Sequence, residues 1–182
     1  MPATPPSREV AESPGTAEAP LPWLAAPLRT ALATQHTHAL LLHGPQGVGQ
    51  FEMALTLAQA WLCEANTAAG APDRRPCGTC ASCHSIAVRT HPDLCMLMPE
   101  AMALDLGWPV EEGALRDIEA KKRKPSQQVR VGAAREMVSF TQFTRSGGDR
   151  RVVCIYPADR MNSEAANTIL KSLEEPPGET RF

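Results

Sequence analysis

The stretch LLLHGPQGVGQF (residues 40–51) constrains this chain most, because an apolar run breaks there into a glycine-rich loop and passes directly into a helical pattern. Residues 39–42 are continuously apolar, as expected of a parallel strand covered on both faces. After the loop, Phe51, Leu55, Ala58 and Leu62 recur at helical spacing and predict one buried stripe. Strand, glycine loop and helix in this order form the frame of a phosphate-binding loop. In a working loop, backbone N–H groups curl around phosphates, a lysine neutralises the outer phosphates, and a Ser or Thr hydroxyl holds Mg²⁺. Gly44, Gly47 and Gly49 supply the backbone, but Gln50 stands in the lysine position and Phe51 in the hydroxyl position. The cation and the metal ligand are both missing, so no nucleotide hydrolysis is expected. The other reading of these residues is a strand-to-helix turn that needs glycine only for steric reasons.

A third apolar run, residues 151–156, tests the same idea. In a hydrolysing enzyme of this kind such a strand ends in acidic residues that hold Mg²⁺ and polarise the attacking water. Here the chain has Tyr156 and Pro157, and Asp159 falls too far along, on a loop or helix start. Between the loop helix and this strand, His91 begins HPDLCMLM (91–98), a turn followed by a second buried strand, with His91 read as structural. Residues 131–141 predict a helix with Ala134, Met137, Val138 and Thr141 on one face, ending before Gly147 and Gly148 as left-handed cap residues. Residues 163–177 predict another, capped by Ser163, with a stripe through Ala166, Ile169, Leu170 and Leu173 and a double-proline stop. Ahead of the loop, Pro27 is placed to start a short helix through Ala33, with Leu28 and Leu32 one turn apart.

Cys77, Cys80 and Cys83 stand in PCGTCASC, and Cys63 lies upstream at the end of the loop helix. Four thiolates suffice for a closed tetrahedral zinc site, and C-x-x-C spacing aims two sulfurs at one ion from a tight knuckle. Free thiols and an iron–sulfur site are the other readings; the downstream cysteine and proline that usually accompany the latter are absent. His84, His91 and Cys95 are further candidates for the fourth ligand. Cys154, inside the third apolar run, reads as a packed core thiol.

Composition narrows the class. An apolar share of 43% in 182 residues suits one globular domain, and the net charge of −2 gives no global basic field for nucleic acid. Residues 1–22 are rich in Pro, Ala, Glu and Ser without apolar period and read as a disordered tail. Residues 99–128 show no convincing period and read as a mobile insertion. Its basic run, Lys121 to Lys124, is taken as a solvated face, with a phosphate contact as the alternative. No stretch has the length of a membrane span and no secretion-signal order is present, so a cytoplasmic location is expected. Thiols there stay reduced and clustered cysteines mean metal more often than disulfide.

The glycine loop, the cysteine cluster after its helix, HPD at 91–93 and AANTILKSLEEPP at 165–177 together resemble the clamp-loader ATPases of bacterial DNA polymerase III, of the AAA+ family. The resemblance covers 23–182, and LKSLEEPP and the zinc module are its most specific parts. It implies a three-layer α/β P-loop NTPase fold, a parallel sheet with helices on both faces and a zinc-binding insertion over 63–84 held by Cys63, Cys77, Cys80 and Cys83. It also implies the role of a rigid, non-hydrolysing member, without ATP as cofactor, of a pentamer that opens the ring-shaped sliding clamp and places it on primed DNA. The implied partners are the other loader subunits (delta, gamma/tau), with clamp and primer-template DNA reached through the complex and no membrane. The chain itself then performs no catalysis, and the DNA-directed DNA polymerase (nucleotidyltransferase) activity belongs to the assembly. Two departures from the family stand out: a longer gap between Cys63 and Cys77, and the large insertion. The resemblance also places a fourth strand between the first and third, beginning near Arg181, so the sequence predicts a C-terminally truncated domain with two exposed central strand edges. An active P-loop ATPase is disfavoured because charge, hydroxyl and acidic residues are lost together. A free-standing zinc-ribbon nucleic-acid binder is disfavoured by the lack of aromatic and basic residues around the cysteines.

Overall fold

A computed structural model describes residues 21–34, 37–68, 74–143 and 150–182. Three parallel strands, β1 (Leu94–Leu97), β2 (Arg151–Ile155) and β3 (Thr180–Arg181), lie in the order β1-β2-β3. The register pairs Leu94 with Val152 and Leu97 with Ile155 on one side of β2, and Arg151 with Thr180 on the other. β2 is apolar almost throughout because alternate residues serve two cores: Val152 and Cys154 face one, Val153 and Ile155 the other.

Residues 39–42 lie beyond β3. Phe182 N–H donates to His38 O at 2.7 Å and Leu40 N–H donates to Phe182 O at 2.9 Å, the slanted pattern of a parallel ladder. This corrects the expectation that nothing separates the loop strand from β2, since residues 180–182 fill the place between them. The turn before them is built from Gly178 at φ +61° and from Thr180, whose hydroxyl donates to Pro177 O at 2.6 Å. A second correction concerns burial. Leu40 and Leu42 pack on the core, whereas Leu41 points away and is 80% exposed, so only one face of residues 39–42 is covered here.

The helices are α1 (Ala25–Thr34), α2 (Gln50–Leu62), α3 (Glu64–Ala68), α4 (Ala81–Ala87), α5 (Glu100–Leu106), α6 (Glu112–Glu119), α7 (Val131–Gln142) and α8 (Ser163–Glu174). On one side of the sheet Leu28 and Leu32 of α1, Leu57 and Trp61 of α2 and Ile86 of α4 close over Val152 and Cys154. On the other side Ala134 and Met137 of α7 and Ala165 and Ile169 of α8 close over Leu97 and Val153. α1 begins two residues before Pro27, which the first turn tolerates because its N–H would be unbonded anyway. α2 is buried more broadly than one stripe: Leu57, Ala60 and Trp61 join Ala58 and Leu62, while Phe51 and Leu55 lean on a separate cluster with Met98, Ala103 and Trp108.

Two caps differ from the sequence reading. The cap of α8 is Asn162, whose side chain accepts the Ala165 N–H at 2.8 Å, and Ser163 is the first helical residue; its buried positions are Ala165, Ile169 and Ser172, with Leu170 49% exposed. α7 ends at Gln142, and Gly147 and Gly148 lie outside the described residues. Its last turn is held instead by the buried Arg151, whose guanidinium donates to Thr141 O and Phe143 O at 2.8 Å each and lies 4.9 Å from the Phe140 ring. The predicted tail over 1–20 also lies outside the described residues; Leu21 and Pro22, assigned to it by composition, belong to the fold.

The 99–128 insertion contains α5 and α6, where the sequence showed no period. Gly107 at φ +69° closes α5, and Glu111 caps α6, its carboxylate accepting the Gly113 and Ala114 N–H groups at 2.8 Å each. Arg123 donates to both oxygens of Glu100 at 2.6 and 2.9 Å, and Glu100 also accepts the Ser126 N–H. The basic run is therefore not one solvated face: Arg123 turns inward to Glu100, and Lys122 pairs with Asp117 at 3.3 Å.

Candidate functional site

The glycine loop is closed on itself by one of the chain's own side chains. Gln50 donates its amide N–H groups to Gly44 O at 2.9 Å and Pro45 O at 2.6 Å, so the residue in the lysine place closes the loop on itself without adding charge. From outside, the Trp23 indole N–H donates to Val48 O at 2.9 Å. Gly49 is the N-cap of α2 at φ +97°, and a Cβ there would meet the Leu21 and Leu24 methyls at 2.6 and 2.9 Å. Glycine is therefore required twice, by conformation and by space.

Phe51 and Tyr156 occupy the two positions that would share a metal, and their rings meet at 5.2 Å between centroids, tilted by 49°. An edge-inclined ring pair stands where the sequence reading looked for a hydroxyl and a carboxylate. The cleft they border has a volume of about 400 Å³, and α5 of the insertion reaches its rim through Met102 and Asp105. Its charged lining residues, Glu52 and Asp105, are both acidic and repel phosphate. Sequence reasoning missed the contributions of Trp23, Met102 and Asp105. Asp159, as expected, sits on a short 3₁₀ turn and is exposed.

The other end of α2 carries Cys63 as its C-cap, fully buried. Cys63, Cys77, Cys80 and Cys83 bring their Sγ atoms within 4.8 Å of one another, with Cys63–Cys80 and Cys77–Cys83 each at 4.0 Å. Sulfurs at the ~2.3 Å zinc–thiolate bond length stand about 3.8 Å apart in a tetrahedron, so this donor set fits a zinc ion. The backbone is arranged for thiolates: Cys77 N–H donates to Cys63 Sγ, Cys80 N–H to Cys77 Sγ and Cys83 N–H to Cys80 Sγ, each at 3.4 Å. The backbone N–H groups of Thr79 and Cys80 pull the Cys77 thiol down to about 6, whereas burial pushes Cys83 up from its ordinary value. A metal would favour the thiolate of Cys83 as well.

The alternative ligands lie elsewhere. His84 is exposed on α4, and Cys95 packs in the core on the α7–α8 side, where burial pushes its thiol up to about 12. His91 bonds Ser82 instead, Nε2 to Oγ at 2.8 Å, and its Nδ1 accepts the Asp93 N–H at 3.0 Å. Cys154 is a core thiol, as expected.

Comparison with known proteins gives these features a lineage. A family model described as DNA polymerase III, delta subunit, matches residues 24–182. The DNA polymerase III subunit delta' of Pseudomonas aeruginosa is 40% identical over 146 residues, 80% of this chain and 36% of the relative. That of Escherichia coli is 30% identical over 166 residues, covering 88% and 41%. The DNA polymerase III subunit tau of Escherichia coli is 27% identical over 145 residues, covering 80% and 18%. The chain thus spans less than half the length of these curated relatives. With its match running through the loop, the cysteines and the sheet, the chain belongs to the DNA polymerase III delta-subunit family, and its similarity runs to the delta' proteins.

Proposed function

We propose that this chain is the AAA+ module of a non-hydrolysing delta-prime subunit that helps load the sliding clamp onto primed DNA. The domain runs over 23–182, with a zinc module over 63–84 and the insertion over 99–128. Cys63, Cys77, Cys80 and Cys83 hold a structural Zn²⁺, which ties the C-terminus of α2 to α4 and supplies no chemistry to a reaction. Gly44, Gly47, Gly49, Gln50 and Phe51 form a vestigial phosphate loop without ATP. The partners are the delta and gamma/tau subunits, with clamp and primer-template DNA reached through the complex, in the cytoplasm. No helix among the described residues is long and apolar enough to cross a membrane.

The observation that carries this reading is the replacement of a metal site by the Phe51–Tyr156 ring contact, beside a Gln50 amide already committed to the loop carbonyls. Nucleotide hydrolysis needs positioned charge at both places. Calorimetry with ATP and Mg²⁺, and a turnover assay, should show neither binding nor hydrolysis for the wild type or for Gln50→Lys. Capture experiments with delta and gamma/tau should recover the complex. Turnover above a mock preparation would refute the loss of catalysis, and failure to enter the complex would refute the subunit assignment.

A further inference from the structure

β1 is the edge of the described sheet, and the edge is open. Asp93 O accepts the Val152 N–H and Leu97 O accepts the Tyr156 N–H, which turns the odd-numbered backbone groups of this strand toward β2. The N–H and C=O of Met96 therefore face the other way, and among the described residues no hydrogen bond meets them. Met96 lines a cleft of about 600 Å³ beside α6 and α7, with Met98, Met137 and Phe140 among its apolar lining. An edge residue with a free donor and acceptor beside a cleft of mixed apolar and charged lining is the geometry of strand addition.

The charges around the cleft indicate what fits. Glu100 is neutralised by Arg123 and lies in the field of Arg130, and Asp117 pairs with Lys122. Glu111 and Glu136 line the cleft and make no ion pair among the described residues. Glu111 also caps α6 and lies in the fields of Arg116 and Arg123, and with Glu100 and Asp117 the lining carries four carboxylates against Arg123 and Arg130. Burial and the charge of Glu111 both push the Glu136 carboxyl up from its ordinary value, a repulsion that a cation set between them would relieve.

We propose that this cleft takes an extended segment of a partner protein, added as a strand to the free edge of β1 with a basic side chain set between Glu111 and Glu136. Main-chain bonds to Met96 give affinity and the paired carboxylates give the preference for lysine or arginine.

Fluorescence anisotropy of the intact protein with a fluorescein-labelled six-residue peptide of alternating valine and lysine tests it. The lysine peptide should bind. N-methylation of its alternate amides should weaken binding by about tenfold or more, since buried backbone bonds are lost. An alternating valine–glutamate peptide and Glu136→Gln should each weaken binding too. Hydrogen exchange at the Met96 amide should slow when the lysine peptide is added. No binding of the lysine peptide, equal binding of the N-methylated one, or unchanged exchange at Met96 would each overturn the proposal. So would complete displacement by spermidine at equal charge concentration, which would reduce recognition to the carboxylates alone.

Discussion

The N-terminus of α2 borders a cleft lined by Gln50, two aromatic rings and the carboxylates of Glu52 and Asp105; at its C-terminus, one 13-residue helix away, stand four thiols within 4.8 Å of one another. Both ends have the backbone of a binding site. The loop has its left-handed glycines and the cysteine knuckle has Gly78 at φ +75° and a chain of N–H donors to sulfur. The difference lies in the side chains. At the loop the Gln50 amide bonds to the loop carbonyls and the Phe51 and Tyr156 rings pack on each other. At the cysteines four Sγ atoms converge within 4.8 Å, an arrangement whose thiolate form a metal ion would stabilise. A helix bonded to its own loop at one end and, on the proposed zinc reading, holding an ion at the other should respond very differently to mutation at its two ends.

The largest effect should come from the cysteine end. Cys63→Ser should lose the zinc and with it a contribution that, for structural sites, is on the order of 10 kcal/mol of apparent binding free energy. Metal analysis should fall from about one zinc per chain toward none, and thermal unfolding should lose cooperativity first in α3 and α4. Zinc retained at full content in Cys63→Ser would erase the contrast between the two ends.

The loop end should respond through packing and backbone strain instead. Gly49→Ala forces a left-handed backbone and a clash with Leu21 and Leu24, a cost of about 2–3 kcal/mol. Gly47→Ala, at φ +83° with nothing within 4 Å of its Cβ, carries the strain alone, about 1 kcal/mol. Urea midpoints for the two variants separate conformation from contact. Equal losses would mean that Leu21 and Leu24 yield without cost.

The same two ends show what a sequence discloses. The convergence of the cysteines was legible because the sulfurs belong to the spaced residues themselves, whatever the surrounding chain does. The loss at the loop was legible too, but not what replaced it: Trp23 and α5 arrive from distant stretches and leave no local signal. α5 and α6 were hidden because helices of seven and eight residues are too short to display a period, and Glu111 is not an ordinary capping residue. Asn162 and Ser163 are both good caps, so only the observed bond to Ala165 decides between them. β3 has two residues, and its partners on either side identify it better than its composition does.

A smaller effect belongs to the ring pair. Phe51→Ala and Tyr156→Ala, combined in a double-mutant cycle on urea unfolding, should show a coupling of about 1 kcal/mol, the usual scale of an inclined aromatic contact. A coupling indistinguishable from zero would mean that the rings touch without stabilising the loop end, which would then depend on the Gln50 bonds alone.

The smallest effect comes from His91, which joins the cysteine module to the sheet. The Ser82 hydroxyl donates to Leu62 O at 2.6 Å, so toward His91 it can only accept, and the Nε2 proton is fixed. Nδ1 must then stay bare to accept the Asp93 N–H. Burial accordingly holds the His91 pKa below its ordinary value, with Asp93 and Glu64 opposing the shift more weakly. Because the unfolded chain takes up the proton at about pH 6.5 and the folded chain only at lower pH, the contribution is complete above 6.5. It drains away as pH falls from there through the folded-state value. Thermal unfolding followed from about pH 8 to about pH 5 with zinc saturating should show the wild type losing its advantage over His91→Gln only below about pH 6.5. Saturating metal keeps thiol protonation common to both proteins, so it cancels in the difference. If the two profiles run parallel across that window, the neutral imidazole is not what fastens the cysteine module to β1.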